Sequence, residues 1–154
     1  MADTVNMVNL VDKVKKRVRG RACIVLTHDY LGQKDWAAKL AGQTEAQHIN
    51  LLELFEKNKG LCEALQEYSV AKLFTLLKEN AEKDIMVVSG IEFLKASWSG
   101  IYDASEQFAS QVETWQQKPA LIFVIQHDKA IAERRFTRYR QYTFAVDQRE
   151  TLAL

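Results

Sequence analysis

The residues of this sequence with the clearest chemical potential lie in CIVLTHDYLGQKDWAAKL, residues 23–40. A short apolar run is followed by a glycine, Gly32, by a lysine, Lys34, and by an apparent helix start. A strand, a glycine-containing loop and a helix in this order form the phosphate-binding loop of nucleoside triphosphatases, whose pattern is GxxxxGK[ST]. The segment therefore raises the hypothesis of a nucleotide site.

Placing Lys34 on the motif lysine tests this hypothesis residue by residue. His28 and Gln33 then replace the two glycines, and Asp35 replaces the hydroxyl residue that binds magnesium. A Cβ at either glycine position crowds the backbone amides that cradle phosphate. Asp35 at a helix start adds negative charge where phosphate oxygens would lie, although it is also a good helix cap. Only Lys34 is retained in register, with Gly32 one position early.

A second segment, IMVVSGIEFL at residues 85–94, points the same way. In nucleoside triphosphatases a strand ending in aspartate holds magnesium, and a nearby glutamate orients the attacking water. Ser89 stands in the aspartate position here, and Glu92 is the acidic residue that is retained. Gln126, at the end of LIFVIQ, occupies the position of a polar sensor residue, and His127 follows it. Both magnesium-ligand positions are substituted, which favours a protein that is not an enzyme.

Hydrophobic periodicity predicts the elements that position these residues. A first helix is expected from a face formed by Val5, Val8, Val11, Val14 and Val18, with Asp3 or Thr4 as its cap. Further helices are expected at residues 35–42, closed by Gly42, at 61–80 and at 105–117. Strands are expected at residues 22–27, 46–52, 84–90, 119–126 and 140–146. Strands alternating with helices predict an α/β fold with three layers and a mostly parallel sheet of about five strands, in one domain spanning residues 1–154.

Composition narrows the class of protein. The 154 residues are 47% hydrophobic, which is enough for one core, and the chain is too short for two domains of ordinary size. No apolar run is long enough to cross a bilayer, and the order of charges near the N-terminus is wrong for a secretory signal. Cys23 and Cys62 lie in apolar segments without metal-ligand spacing, so buried free thiols in a reducing cytoplasm are expected. Trp36, Trp98 and Trp115 are expected to anchor the core.

Charge is distributed unevenly along the chain. Residues 1–21 hold six basic and two acidic side chains, residues 43–113 hold six and twelve, and residues 118–154 hold seven and four. Basic ends and an acidic middle suit docking to a charged partner, and a solvated charge mosaic gives the same counts.

Two basic segments are the candidate interaction sites. KVKKRVRGR, residues 13–21, is predicted to place Val14 and Val18 on its buried side, and ERRFTRYRQY interleaves arginines with aromatic residues over 134–140. The candidate residues are Lys15, Lys16, Arg17, Arg19, Arg134, Arg135, Arg138, Tyr139 and Arg140. Arginine beside aromatic rings suits a protein interface and also phosphate contacts with base stacking. A plain surface, a protein partner and nucleic acid are therefore all open.

Three segments of the chain resemble a known family. INLLELFEK, VSGIEFL and the tail RYRQYTFAVDQRETLAL are similar to segments of the BrxF family, small P-loop proteins of BREX bacteriophage-exclusion systems. The resemblance implies a P-loop NTPase-like core without a lid domain, encoded beside DNA methyltransferase, phosphatase-like and helicase components. By position it assigns the phosphate-loop lysine to Lys34 and the acidic residue to Glu92. Asp35 and Ser89 depart from the pattern.

The expected function follows from the degenerate Walker motifs together with this resemblance. We expect a cytoplasmic pseudo-ATPase that binds no cofactor and acts through protein partners in an antiviral defence (BREX-like) or DNA-processing assembly. One alternative is an ATPase that binds ATP and magnesium through an atypical P-loop. The other is a DNA-binding accessory protein that uses residues 13–21 and 134–140.

Overall fold

A single parallel sheet forms the centre of the molecule. The computed structural model describes residues 4–64, 68–98 and 103–154. The strands are β1 (Ala22–Thr27), β2 (Gln47–Asn50), β3 (Ile85–Ser89), β4 (Ala120–Gln126) and β5 (Ala145–Asp147). All paired strands run parallel, in the order β2-β3-β4-β1-β5. The predicted α/β class and the predicted parallel sheet of about five strands are confirmed.

Helices cover both faces of the sheet. They are α1 (Met7–Lys16), α2 (Tyr30–Thr44), α3 (Leu51–Lys57), α4 (Lys59–Glu63), α5 (Val70–Glu79), α6 (Glu92–Ser97), α7 (Ala104–Thr114) and α8 (Lys129–Glu133), with a 3-10 turn at Gln148–Glu150. Residues of α1 and α2 share one apolar cluster, and those of α3, α5, α6, α7 and α8 share the cluster on the opposite face. Neighbouring residues of β1, β3 and β4 alternate between the two clusters, which gives the three predicted layers.

The strand order explains which face each helix covers. The chain leaves β1 in one direction towards β2, with α2 on the first face, and it then returns through β3 and β4 to β5 with its helices on the other face. Right-handed crossovers require such a change of face when the direction reverses. The connections after β1 and β4 leave to opposite faces, so the crevice beyond these two adjacent strands is where parallel sheets of this kind bind ligands.

The first helix differs from its prediction at both ends. Asn6 is its cap, with Oδ1 accepting from the backbone N–H of Asn9 at 3.1 Å, so Thr4 does not have that role and Asp3 lies outside the described residues. Val18 lies beyond the end of α1 and is 79% exposed. Its expected burial is wrong because helical periodicity no longer applies once the helix has ended.

The other helix boundaries also shift. Gly42 does not close α2, which continues to Thr44, and Glu45 adopts the left-handed conformation with φ of 56°. The expected helix at 61–80 is divided: residues 61–63 belong to α4, residues 65–67 lie outside the described residues, and α5 begins after its cap, Ser69. Ser69 Oγ accepts from the backbone of Lys72, which makes Val70 the first helical residue.

Two of the predicted strands are shorter than expected. β2 ends at Asn50 because the side chain of that residue caps α3, so Leu51 and Leu52 are helical. Of residues 140–146, only Ala145 and Val146 are in a strand. Of the residues before β5, Phe144 is buried, and its ring stacks on that of Phe136 at 5.3 Å between centroids.

The cysteines and tryptophans differ in how deeply they are buried. Cys23 is a buried free thiol, as expected, whereas Cys62 is exposed because α4 contributes no buried residue. Trp98 and Trp115 are buried and Trp36 is half-buried against the cluster formed by α1 and α2. Within the described ranges, no helix combines the length and apolar character needed to cross a bilayer.

Candidate functional site

The candidate site is the edge of the sheet where the parallel strands end. β1 ends at Thr27, β2 at Asn50, β3 at Ser89 and β4 at Gln126, and α2 and α6 begin directly above them. The sequence therefore brings together the residues that follow three apolar strands, as a parallel sheet requires.

The predicted phosphate-binding loop is not a loop. Only His28 and Asp29 separate β1 from α2, so Gly32 and Lys34 lie inside the helix. Asp29 caps α2, and its Oδ1 accepts from the backbone N–H of Leu31 at 3.1 Å. A Cβ on Gly32 would lie 2.7 Å from Asp29 Oδ2, so the glycine makes room for this cap. Because a carboxylate already occupies the start of α2, Asp35 is not the cap.

Gln33 spans the crevice beyond β1 and β4, from the end of β1 to the turn after β3. Its side chain is 2% exposed. Its Oε1 accepts from the backbone N–H of Gly90 at 3.0 Å, and its Nε2 lies 3.4 Å from both Thr27 Oγ1 and Glu92 Oε2. Gln33, which falls on the second motif glycine when Lys34 is placed on the motif lysine, therefore fills the space among Thr27, Gly90 and Glu92.

Glu92 lies on the other side of the same crevice. Its Oε2 accepts from the backbone N–H of Gln126 at 2.9 Å, in addition to its contact with Gln33. Its Oε1 is buried and has no hydrogen-bond partner among the described residues. Glu92 thus joins α6 to the end of β4, and the contact is made by the backbone N–H of Gln126 and not by its side chain.

Ser89 is engaged by β2. Asn50 Nδ2 donates to Ser89 Oγ at 3.1 Å, and His48 Nε2 lies 2.9 Å from the same oxygen. The serine hydroxyl is then able to donate its proton to the imidazole. The pKa of His48 is lowered, first by burial and second by the charge of Lys34, which favours this neutral ring. Gly90 has φ of 73°, and a Cβ there would lie 2.8 Å from Asn50 Oδ1.

Lys34 lines a groove to which Gln33 and Gly90 also contribute. Its ammonium group pairs with the Glu53 carboxylate of α3, and both side chains are partly exposed. The groove beside this pair has a volume of about 290 Å³. Its lining includes Tyr30, Leu31 and Leu52, which are 43%, 90% and 36% exposed, together with Glu56. Lys34 is therefore part of a groove that combines exposed apolar side chains with charged ones.

A further polar cluster lies at the end of β5. His28 Nε2 is 3.0 Å from Asp147 Oδ2, and the His28 and His127 rings lie 4.8 Å apart between centroids. Arg149 holds the pKa of the Asp147 carboxyl well below its ordinary value, and the bond from His28 contributes in the same direction. Asp147 was not among the candidate residues, although its position at the end of a predicted apolar strand could have indicated it.

The basic candidate residues divide into engaged and exposed groups. Arg134 is 16% exposed at its side chain, where it forms three hydrogen bonds to the Glu106 carboxylate and stacks over Phe136. Lys16 pairs with Asp12 at 2.9 Å. Tyr139 is half-buried beside Tyr142 and Phe144, and Arg17 is held by backbone carbonyls. The other exposed candidates are Lys15, Arg19, Arg135, Arg138 and Arg140.

Comparison with known proteins adds no relative. The chain matches no protein-family model, and no curated protein matches its sequence. In the described parts of the chain, no three His, Cys, Asp or Glu side chains are grouped to hold a metal ion.

The buried amide of Gln33 gives the first prediction. Gln33→Met keeps the side-chain volume and removes the bonds to Gly90, Thr27 and Glu92, leaving buried polar groups unpaired. The free energy of unfolding, measured by urea denaturation, should fall by about 1–3 kcal/mol. The matched control is Gln43→Met, on the exposed side of the same helix, which should change it by less than about 0.5 kcal/mol. Equal effects of the two substitutions would show that Gln33 does not hold the edge together.

The Asp147 carboxylate gives a pH-dependent prediction. Its pKa is lowered on folding, so its stabilising contribution is present above the unfolded pKa of about 3.9 and is lost as the pH falls through the acid range. Asp147→Asn should cost about 1 kcal/mol at neutral pH. The difference between variant and wild type in the free energy of unfolding, measured by urea denaturation, should become smaller below about pH 4.

Asp84→Asn is the control for this measurement. Asp84 is exposed, and its Oδ1 lies 4.0 Å from Lys118 Nζ, which is too long for a strong ion pair. Its substitution should therefore cause no comparable pH-dependent change in the free energy of unfolding. If Asp147→Asn and wild type differed in unfolding free energy by the same amount at neutral and at acid pH, the ionised Asp147 carboxylate would not be the stabilising group.

Proposed function

We propose that this chain is a non-catalytic, P-loop-like accessory protein that acts by binding protein partners. The observation that carries the proposal is the buried Gln33 side chain, which fills the crevice between Thr27, Gly90 and Glu92. A P-loop-like core is supported by the parallel sheet in which α2 directly follows a central strand. The setting in a BREX-like anti-phage or DNA-processing assembly rests on the resemblance of the three segments described above.

The residues present do not fit ATP with magnesium. Only two residues separate β1 from α2, and the carboxylate of Asp29 caps the helix where phosphate would bind. Ser89 Oγ, at the metal-binding position, is engaged by His48 and Asn50. Lys34 pairs with Glu53. No catalytic step through a nucleotide or a metal follows from this geometry.

A protein partner is favoured by the surface beside Lys34. Tyr30, Leu31 and Leu52 are exposed apolar side chains that line one groove, and apolar surface grouped in this way with polar residues around it is typical of protein interaction sites. Glu53 and Glu56 give the rim of this groove an acidic character. The complementary partner presents an apolar anchor flanked by a basic side chain.

Titration with ATP and magnesium tests the closed crevice. We expect no micromolar binding by isothermal titration calorimetry, because the side chain of Gln33 and the cap of Asp29 occupy the positions that phosphate needs. Lys34→Ala should give the same flat titration. Micromolar binding by wild type that Lys34→Ala abolished would contradict the proposal and favour the ATPase with an atypical P-loop.

The docking surface is tested by recovering native complexes with a tagged protein. Leu31→Glu should remove the specific partners, because it places a charge at the most exposed apolar position of the groove. Val18→Glu is the matched control, since Val18 is also an exposed apolar residue and does not line this groove. Retention of the same partners by Leu31→Glu would exclude this surface as the interface.

A further inference from the structure

A second groove lies between α1 and residues 141–143, away from the closed crevice. Its volume is about 500 Å³. Its lining combines the cations Lys13 and Arg17 with the side-chain amides of Asn6, Asn9 and Gln141, and it includes no carboxylate side chain. Nearly every polar side chain in this groove is therefore able to donate a hydrogen bond to an anion.

Arg17 is positioned in advance at one end of this groove. Its Nη1 donates to the carbonyl of Gly20 at 3.2 Å, and its Nη2 donates to the carbonyl of Thr143 at 3.1 Å. The guanidinium lies 4.4 Å from the centre of the Tyr142 ring. Because its rotamer is already restricted, a ligand that contacts this cation pays little additional conformational entropy.

The fold brings the two basic segments together at this groove. Gly20, with φ of 57°, packs so closely on the second segment that a Cβ there would lie 2.8 Å from the Phe144 ring and 3.2 Å from the Tyr139 ring. Arg19 precedes Gly20 in the chain, Arg138 and Arg140 flank Tyr139, and all three arginines are exposed. The bond from Arg17 to the carbonyl of Thr143 links parts of the chain more than 100 residues apart.

We propose that this basic groove binds single-stranded nucleic acid. Lysine and arginine contact the phosphates, the three amides contact base edges, and Tyr142 offers an aromatic ring beside them. A concave groove that tracks one backbone fits a single strand better than a duplex, whose bases are already stacked and paired. This inference does not depend on the proposed docking surface at Leu31, because the two grooves share no residue.

Fluorescence anisotropy with a labelled 12-nucleotide oligo(dT) tests the proposal. Binding by wild type should weaken steeply as salt rises from about 50 to 200 mM. Lys13→Gln should lower the magnitude of the slope of log K against log salt by about 0.7, the value for one lost phosphate contact on a single strand. Tyr142→Leu should weaken binding about fivefold or more with little change in slope.

Lys72→Gln is the matched control, because Lys72 is exposed on α5, on the opposite face of the sheet. It should leave both affinity and slope unchanged. Three results would overturn the proposal: no salt-dependent binding, equal effects of Lys13→Gln and Lys72→Gln, or a duplex of the same length binding as tightly as the single strand. Inorganic polyphosphate of equal charge should bind more weakly than the oligonucleotide, and equal binding would exclude a role for the bases.

Discussion

The buried amide of Gln33 is the interaction on which the carboxyl edge of the sheet depends. It joins the end of β1 at Thr27 to the turn after β3 at Gly90 and to Glu92 at the start of α6. Glu92 extends the network to β4 through the backbone of Gln126. A buried polar group that loses its hydrogen-bond partner in a medium of low dielectric constant destabilises the fold strongly. Breaking one of these contacts is therefore expected to weaken the others. The crevice is closed because the network occupies it.

The strands that form this edge of the sheet could be predicted from the sequence, but the side-chain network that fills the crevice above them could not. The continuous apolar runs that became β1, β3 and β4 identified buried parallel strands, and a parallel sheet brings the residues after such strands to one edge. The start of α2 was misplaced because Gly32 was interpreted as a loop residue. Asp29, two residues after the strand, was the available signal for a helix cap. What sequence could not supply is that Gln33 turns inward, since that depends on Gly90 and Glu92, which are far along the chain.

The charged surface was also predicted only in part. Charge counts predicted basic ends of the chain, but they did not predict which basic side chains form contacts within the fold. Arg134 pairs with Glu106 of α7 and is largely buried, whereas Arg17 donates to the carbonyl of Thr143, just after the second basic segment. Such long-range pairings depend on tertiary packing, and composition carries no signal of them. The molecule therefore has a closed crevice, an apolar groove beside it at Leu31, and a separate basic groove.

The most direct measurement of the central claim is the amide of Gly90, which donates to Gln33 Oε1 at 3.0 Å. Nuclear magnetic resonance of the labelled protein reports its hydrogen exchange and its chemical shift during addition of millimolar ATP and magnesium. A closed crevice predicts slow exchange and an unchanged shift for this amide. Fast exchange, or saturable shifts of Gly90 together with the side-chain amide of Gln33, would show that the crevice opens to nucleotide and would contradict the account.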